Sequence, residues 1–228
     1  AEQGLVDTLT LYLPYGCPDW GTRGVLGERL PDRCRFCALP SGPDLFAKLY
    51  QAGKPTSTQG HIALLEEAWR QAVSTEGIPH TLRLFNGGSA LAMHRDILAR
   101  LSALCVENGV QRLVIEARAK LVTENRLAPM MKTLDAAGIK LTVRIGIETQ
   151  DDEFRQNVLG KGQSREEIAR AVSVASDLKI DLGSYVLLKP APGITDSWAR
   201  EEATKTINWI LDELGFHEVY LSATCISP

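Results

Sequence analysis

The sequence predicts an α/β protein built on a parallel sheet, either doubly wound or a full or partial β/α barrel. Three observations carry that prediction. Six short runs are continuously apolar or alternate with period two, at Thr8 to Leu13, Thr81 to Phe85, Arg112 to Ile115, Lys140 to Ile147, Gly183 to Leu188 and Glu218 to Leu221, which is the pattern of strands. Five segments with helical spacing lie between them, at Ile62 to Val73, Arg95 to Val106, Arg126 to Ala137, Glu166 to Leu178 and Trp198 to Leu214. Strand and helix therefore alternate, and alternation requires right-handed crossovers and parallel pairing.

The first strand leads into a connection from Pro14 to about Gly60, far longer than the roughly 2 to 6 residues usual in such units, and long loops of this kind are commonly functional. Further on, Gly109, Gly138 and Gly215 each follow a helical run as C-terminal breakers, and Ser164 with Glu167 forms a capping box ahead of the fourth helix. No repeat, low-complexity tract or linker interrupts residues 1–228, so a single domain is expected. A chain of 228 residues, 44% hydrophobic, can bury about 70 to 75% of its unfolded surface without staples. Five cysteines are too few, and odd in number, for a secreted disulfide scaffold, so a reducing cytoplasm is expected. Nothing approaches the ~20 apolar residues of a membrane span, and the start, Ala-Glu-Gln-Gly, lacks a basic stretch followed by an apolar one, so a soluble protein is expected. A net charge of -3 argues against a broad nucleic-acid footprint.

Chemically distinctive residues fall just after the strands: Cys17 after the first, Gly87 and Gly88 after the second, Glu116 and Arg118 after the third, Glu148 after the fourth and Lys189 after the fifth. In parallel α/β folds that rim is where active sites form. The long first loop carries Cys17, Cys34 and Cys37, the last two as Cys34-Arg35-Phe36-Cys37. Three readings stand side by side. A structural zinc site needs a fourth ligand, for which His61, Asp19 and Asp32 are the nearby candidates. Buried cysteines with no ligand role fit poorly with a polar, glycine-rich loop. An iron-sulfur cluster held by three thiolates leaves one iron open for chemistry.

With these residues in place, the chain resembles the radical S-adenosylmethionine (SAM) enzymes over nearly its whole length. The branch it resembles is that of the Elongator catalytic subunit and the archaeosine synthase radical subunit. The superfamily most often spaces its cysteines C-x3-C-x2-C with an aromatic residue before the last, as Phe36 is here. The first gap in this chain is sixteen residues, and an enlarged first gap is similar to the Elongator-like branch. Asn86-Gly87-Gly88-Ser89 resembles the Gly-Gly motif whose backbone approaches the methionine amino group. Val114-Ile115-Glu116-Ala117-Arg118 resembles the Ile-Glu-x-Arg stretch, which implies that Glu116 faces the cofactor. Glu148 stands where a glutamine usually bonds the ribose hydroxyls, and Lys161, in Gly160-Lys161-Gly162, where an arginine commonly pairs with the methionine carboxylate. Leu187 is placed to pack on the adenine.

The resemblance implies a partial (β/α)6 barrel of parallel strands. It implies a four-iron four-sulfur (4Fe-4S) cluster on Cys17, Cys34 and Cys37 in a loop of about residues 14–43, and SAM bound across Phe36, Asn86, Gly87, Gly88, Ser89, Glu116, Arg118, Glu148, Lys161 and Leu187. The expected activity is reductive cleavage of SAM to start radical chemistry on a small-molecule substrate or a tRNA nucleoside, with electrons from a donor such as a flavodoxin or ferredoxin. Lys189, at a strand end before a proline, and Cys225, after the last strand, are candidate catalytic residues. Glu218-Val219-Tyr220-Leu221-Ser222 resembles the final strand of the archaeosine group, in which the chain continues, so a C-terminal extension past Pro228 is expected there. Oligomeric state is not legible. The competing expectation is a non-enzymatic, zinc-stabilised α/β binding module. Cys105 at helical spacing and Met130-Met131 are expected in the core, and of the histidines only His94, shortly after the Gly-Gly turn, stands near the candidate site in sequence.

Overall fold

The computed structural model describes residues 6–17, 34–37 and 55–223. Within them the order is β1 (Val6–Tyr12), α1 (Thr58–Glu76), β2 (Pro79–Phe85), α2 (Arg95–Glu107), β3 (Arg112–Ala117), α3 (Glu124–Ala136), β4 (Lys140–Glu148), α4 (Arg165–Asp177), β5 (Asp181–Leu188), α5 (Asp196–Asn208), continued by a π-turn at Trp209–Glu213, and β6 (Glu218–Ala223). All six strands are parallel and stand in sequence order, β1-β2-β3-β4-β5-β6. That order removes the doubly wound alternative, which needs a reversal of strand order. The sheet curls into half of a barrel with the helices outside, a partial (β/α)6 barrel.

Two strands run further than their apolar cores suggested. The β3 ladder continues as Glu116↔Arg144 and Ala117↔Ile145, and β4 reaches Glu148, so both glutamates lie within strands and not beyond them. The helices begin and stop for local reasons. The Ser57 side chain accepts from Gly60 N at the start of α1, and both halves of the Ser164–Glu167 capping box are formed at α4. His94, the rim histidine, caps α2 by accepting from Asp96 N, a structural task. Gly109, Gly138 and Gly215 take φ of +69°, +70° and +69°, the left-handed turn that ends a helix cheaply only with glycine.

Residue parity divides the molecule. Leu9, Leu11 and Leu13, Leu82 and Leu84, Leu113 and Ile115, and Leu141, Val143, Ile145 and Ile147 are buried in one apolar layer with Leu65, Ile97, Leu101, Cys105, Leu127, Met130, Met131 and Ile168 of the helices. The alternate residues face the inside of the curl, because successive strand side chains point to opposite faces. Among them are Thr10 and Tyr12, Arg83 and Phe85, Arg112 and Glu116, Thr142 and Arg144, Gly183 and Tyr185, and Glu218 and Tyr220. Closed β/α barrels fill this space with branched aliphatics, whereas here the lumen is polar. No described helix is long and apolar enough to cross a membrane.

Candidate functional site

The rim is assembled where β1 and β2 end side by side. Leu13 N donates to Phe85 O (2.7 Å) and Gly16 N to Asn86 O (2.7 Å), so the backbone leading to Cys17 is laid against the backbone leading to the two glycines. The contact is tight. A Cβ on Gly88 would meet Cys17 Cα at 2.5 Å, Cys17 N at 2.7 Å and Gly16 O at 2.7 Å, all main-chain atoms that no rotamer change can move. Gly87 takes φ +70°. Beside them Asn86 is 1% exposed, yet neither its Oδ1 nor its Nδ2 has a hydrogen-bond partner among the described residues. A buried amide left so is expensive, and it offers one acceptor and two donors to whatever occupies the rim. Ser89 Oγ accepts from Arg118 N (3.2 Å), joining the glycine turn to the end of β3.

The Cys34–Cys37 turn, closed by Cys37 N donating to Cys34 O at 3.3 Å, is anchored on the opposite wall. Arg35 N donates to Leu159 O (2.8 Å), and its guanidinium donates to Asn157 O (2.8 Å) and Val158 O (3.1 Å). The Phe36 ring lies 5.5 Å from Lys161 Nζ, a cation-π contact. Lys161 Nζ in turn donates to Glu148 Oε1 at 2.6 Å, with both side chains below a tenth exposed. Gly146 makes that pair feasible, since a Cβ there would collide with Glu148 Oε1 and lie 2.7 Å from Lys161 Nζ. Arg118 closes the group by donating to the carbonyls of Lys161 and Gly162. Glu148, the last residue of β4, and Lys189, directly after β5, adopt φ of +70° and +58°. Non-glycine residues held so are strained, and such strain clusters at functional sites.

Below the rim, β3, β4, β5 and β6 contribute a charged network. Tyr185 Oη donates to Glu116 Oε1 at 2.5 Å, and burial pushes the Glu116 carboxyl up to about 7 against the pull of Tyr185 and Arg144. Arg144 Nε reaches across Gly183 to Glu218 Oε1 (2.8 Å) and its terminal nitrogen bonds Tyr220 Oη. Here too a glycine gives the room: a Cβ on Gly183 would sit 2.7 Å from Glu218 Cγ and Oε1. Glu218 stays low despite its burial because Arg144, Tyr220 and Arg112 surround it. None of Arg144, Tyr185 or Tyr220 was singled out by motif. For Arg144 the signal was the alternation itself, Lys-Leu-Thr-Val-Arg-Ile-Gly-Ile-Glu in β4, in which every second residue is polar or glycine.

The sequence-predicted residues thus divide. Asn86, Gly87, Gly88, Ser89 and Arg118 form one continuous edge with Cys17, while Glu148, Lys161 and Phe36 form another with the Cys34–Cys37 turn; Glu116 lies below in the lumen and Leu187 near the top of β5, above Tyr185. Lys189 is drawn aside, its Nζ held by Asp196 Oδ1 at 2.6 Å at the mouth of a cavity of about 480 Å³ lined also by Leu188, Pro192 and Arg200. Cys225 lies outside the described residues. Cys17, Cys34 and Cys37 are half-buried, and no three His, Cys, Asp or Glu side chains among the described residues converge closely enough to hold a metal ion. His61 points elsewhere, with Nδ1 2.8 Å from Ser57 O and its ring 4.9 Å from Tyr15. What favours SAM and a cluster is the donor set of three thiols on two anchored turns and the partnerless Asn86 amide beside the first of them.

No family model matches the chain. It is 26% identical over 163 residues to the archaeosine synthase subunit beta of Methanosarcina acetivorans, covering 69% of this chain and 45% of that one. To the same subunit of Thermococcus kodakarensis it is 25% identical over 174 residues, covering 74% and 50%. The chain therefore spans about half the length of these curated relatives. Among solved structures it is similar to a queuine lyase from Clostridium spiroforme bound to SAM and queuine (TM-score 0.59, 19% identity, 96% of this chain and 76% of that one). It is also similar to the radical SAM methyltransferase TsrM from Kitasatospora setae (TM-score 0.54, 16% identity, 96% and 36%). The likeness to the archaeosine branch, drawn from motifs, is met by these sequence matches, and the fold is shared with the solved radical SAM enzymes.

Proposed function

We propose that the chain is a radical SAM enzyme acting on a polar small molecule or a modified nucleoside. One observation carries the proposal: the buried, partnerless Asn86 amide sits where Gly88 is pressed against the Cys17 backbone. That arrangement sets unsatisfied hydrogen-bonding groups beside the backbone that carries Cys17. Cys17, Cys34 and Cys37 would hold a 4Fe-4S cluster, and Asn86, Gly87, Gly88, Ser89, Glu116, Arg118, Glu148, Lys161, Phe36 and Leu187 would surround SAM. When bound, these groups supply an open iron and reductive cleavage of a carbon-sulfur bond.

The protein's own contribution is to bind, orient and exclude water. Asn86 offers donors and an acceptor at the glycine turn. The Glu148–Lys161 pair gives the rim a buried carboxylate and a buried ammonium fixed 2.6 Å apart, preorganised for the charged ends of a zwitterionic ligand. Glu116, with Tyr185 on one oxygen, can hold or release a proton near neutral pH. A polar lumen supports a polar substrate, because an apolar one would displace water from the hydrogen-bonding positions that Arg144, Glu218 and Tyr220 do not use on one another. The relatives named for archaeosine and queuine make a modified nucleoside or its base the favoured class. A donor such as a flavodoxin or ferredoxin would supply the electron.

The test is anaerobic purification with iron and sulfide assay, visible absorbance and SAM-binding calorimetry. The expected result is a brown protein with about four irons and four sulfides per chain that binds SAM and loses its colour when Cys17, Cys34 or Cys37 is replaced by Ala. A colourless, zinc-bearing protein indifferent to SAM overturns the proposal in favour of a zinc-stabilised binding module. RNA and small-molecule substrates separate by salt titration, since phosphate contacts give a steep fall of affinity with ionic strength.

A further inference from the structure

Among the described residues the lumen carries three arginines, and two of them are spoken for. Arg144 is bonded to Glu218 and Tyr220. Arg112 donates to Thr142 Oγ1 at 2.8 Å and lies 3.8 Å from Glu218. The side chain of Arg83, on β2, makes no hydrogen bond or ion pair with any described residue, and its Nε is buried without a partner among them. The strand fixes its direction: Leu82 and Leu84 on either side belong to the apolar core, so Arg83 faces the lumen. Its register partners there are Thr10 on β1 and Val114 on β3. One pleat nearer the rim stand Phe85 and Tyr12, ring centroids 5.8 Å apart. These neighbours offer no countercharge. Glu116, one pleat above Val114, is engaged by Tyr185. A guanidinium stays charged at any working pH, and a charge with a buried, unsatisfied nitrogen is costly unless something arrives to meet it.

We propose that Arg83 is a specificity residue that receives an anionic oxygen group, carboxylate or phosphate, carried by the substrate into the lumen beneath the rim. The geometry suits it, because a guanidinium fork binds either group through two parallel hydrogen bonds. Arg83 thereby adds to the polar substrate proposed above a negatively charged end, lying on the β2 side of the lumen and opposite the Arg144–Glu218 pair. The substrate role rests on the radical SAM assignment; the anion site does not, and it can be tested without iron.

The experiment follows thermal unfolding of the full 228-residue chain in a chloride buffer, titrated with inorganic phosphate or with acetate at constant ionic strength, for the wild type, Arg83→Met and Arg83→Lys. A ligand that binds only the folded chain raises the midpoint with its concentration. The wild type is expected to respond to one of the two anions, the stronger response identifying phosphate or carboxylate as the source. Arg83→Met should weaken that response at least tenfold in apparent affinity, and Arg83→Lys, which keeps the charge but not the fork, at least threefold. Should the methionine variant fail to fold, the lysine variant decides alone. SAM-binding calorimetry runs in parallel and should show equal affinity in all three proteins. Equal anion responses in wild type and both variants overturn the proposal, as does a loss of SAM affinity with the anion response intact, which would assign Arg83 to the cofactor carboxylate. A chain without iron or SAM binding whose anion response still depends on Arg83 overturns the radical SAM assignment and keeps the anion site.

Discussion

Gly183 and Gly146 serve the lumen by lacking a side chain. Each sits between two charged partners that meet over it, Arg144 with Glu218 and Glu148 with Lys161. Gly183→Ala should therefore push Glu218 off Arg144 and destabilise the chain by about 3 to 5 kcal/mol, the usual effect of uncoupling a buried charge, measurable by denaturant unfolding; a change below about 1 kcal/mol would show that Glu218 simply swings aside. Gly88→Ala meets main-chain atoms of Cys17, so its effect should fall on the metal: iron content after anaerobic reconstitution should drop at least severalfold, and unchanged iron loading would detach the glycine turn from the cysteine loop. Glu116 gives a pH signature. Burial, helped by the Glu148 carboxylate, holds its carboxyl protonated up to about 7 against an ordinary 4.5, while Tyr185, Arg144 and Lys161 pull the other way. Between those values the folded chain binds the proton that the unfolded chain has released, so stability falls as pH rises. Glu116→Gln should flatten that slope in unfolding midpoints compared at about pH 5 and about pH 8; an unaltered slope would mean another group carries it. At this scale the sequence showed which residues were unusual but not who met whom. Glu148 and Lys161 were picked out as separate ligand contacts, and only the backbone turn after β4 brings them together.

At the scale of elements, the cysteine pair behaves as cargo on a distant loop. Arg35 ties the Cys34–Cys37 turn to residues 157–159 through three hydrogen bonds to carbonyls, although more than a hundred residues of chain separate them. Arg35 is exposed, so Arg35→Ala should alter global stability by less than about 1 kcal/mol while hastening loss of iron to a chelator severalfold. Equal chelation rates in the two proteins would remove the anchor. Helix and strand positions were legible because periodicity and caps are local properties, as the Ser164–Glu167 box shows. Strand ends were less so. Glu116 and Glu148 looked like loop residues because a charged side chain ends an apolar run, yet the ladder continues where the polar residue faces a lumen.

For the whole molecule, sequence order of the strands means that each strand–helix–strand unit packs on its predecessor through neighbouring contacts. The central strands β3 and β4 have partners on both sides, whereas β1 and β6 each have one. Amide exchange should accordingly be slowest in Leu113–Ile115 and Leu141–Ile145 and fastest in Val219–Ala223; a protected β6 would reveal a partner lying along that edge. The alternation of strand and helix made the α/β class plain from sequence. It could not by itself choose between winding outward in one direction or in two, because both give the same rhythm, and the decision lies in which strands pair.

The split by parity has an evolutionary consequence. Substitutions at Thr10, Tyr12, Arg83 or Phe85 alter what the hollow accepts without touching the leucines that weld sheet to helices, and substitutions at Leu9, Leu11, Leu82 or Leu84 do the reverse. Selection can thus explore new chemistry on one set of codons while the scaffold is inherited on the interleaved set, so descendants of this chain could change diet without relearning how to fold.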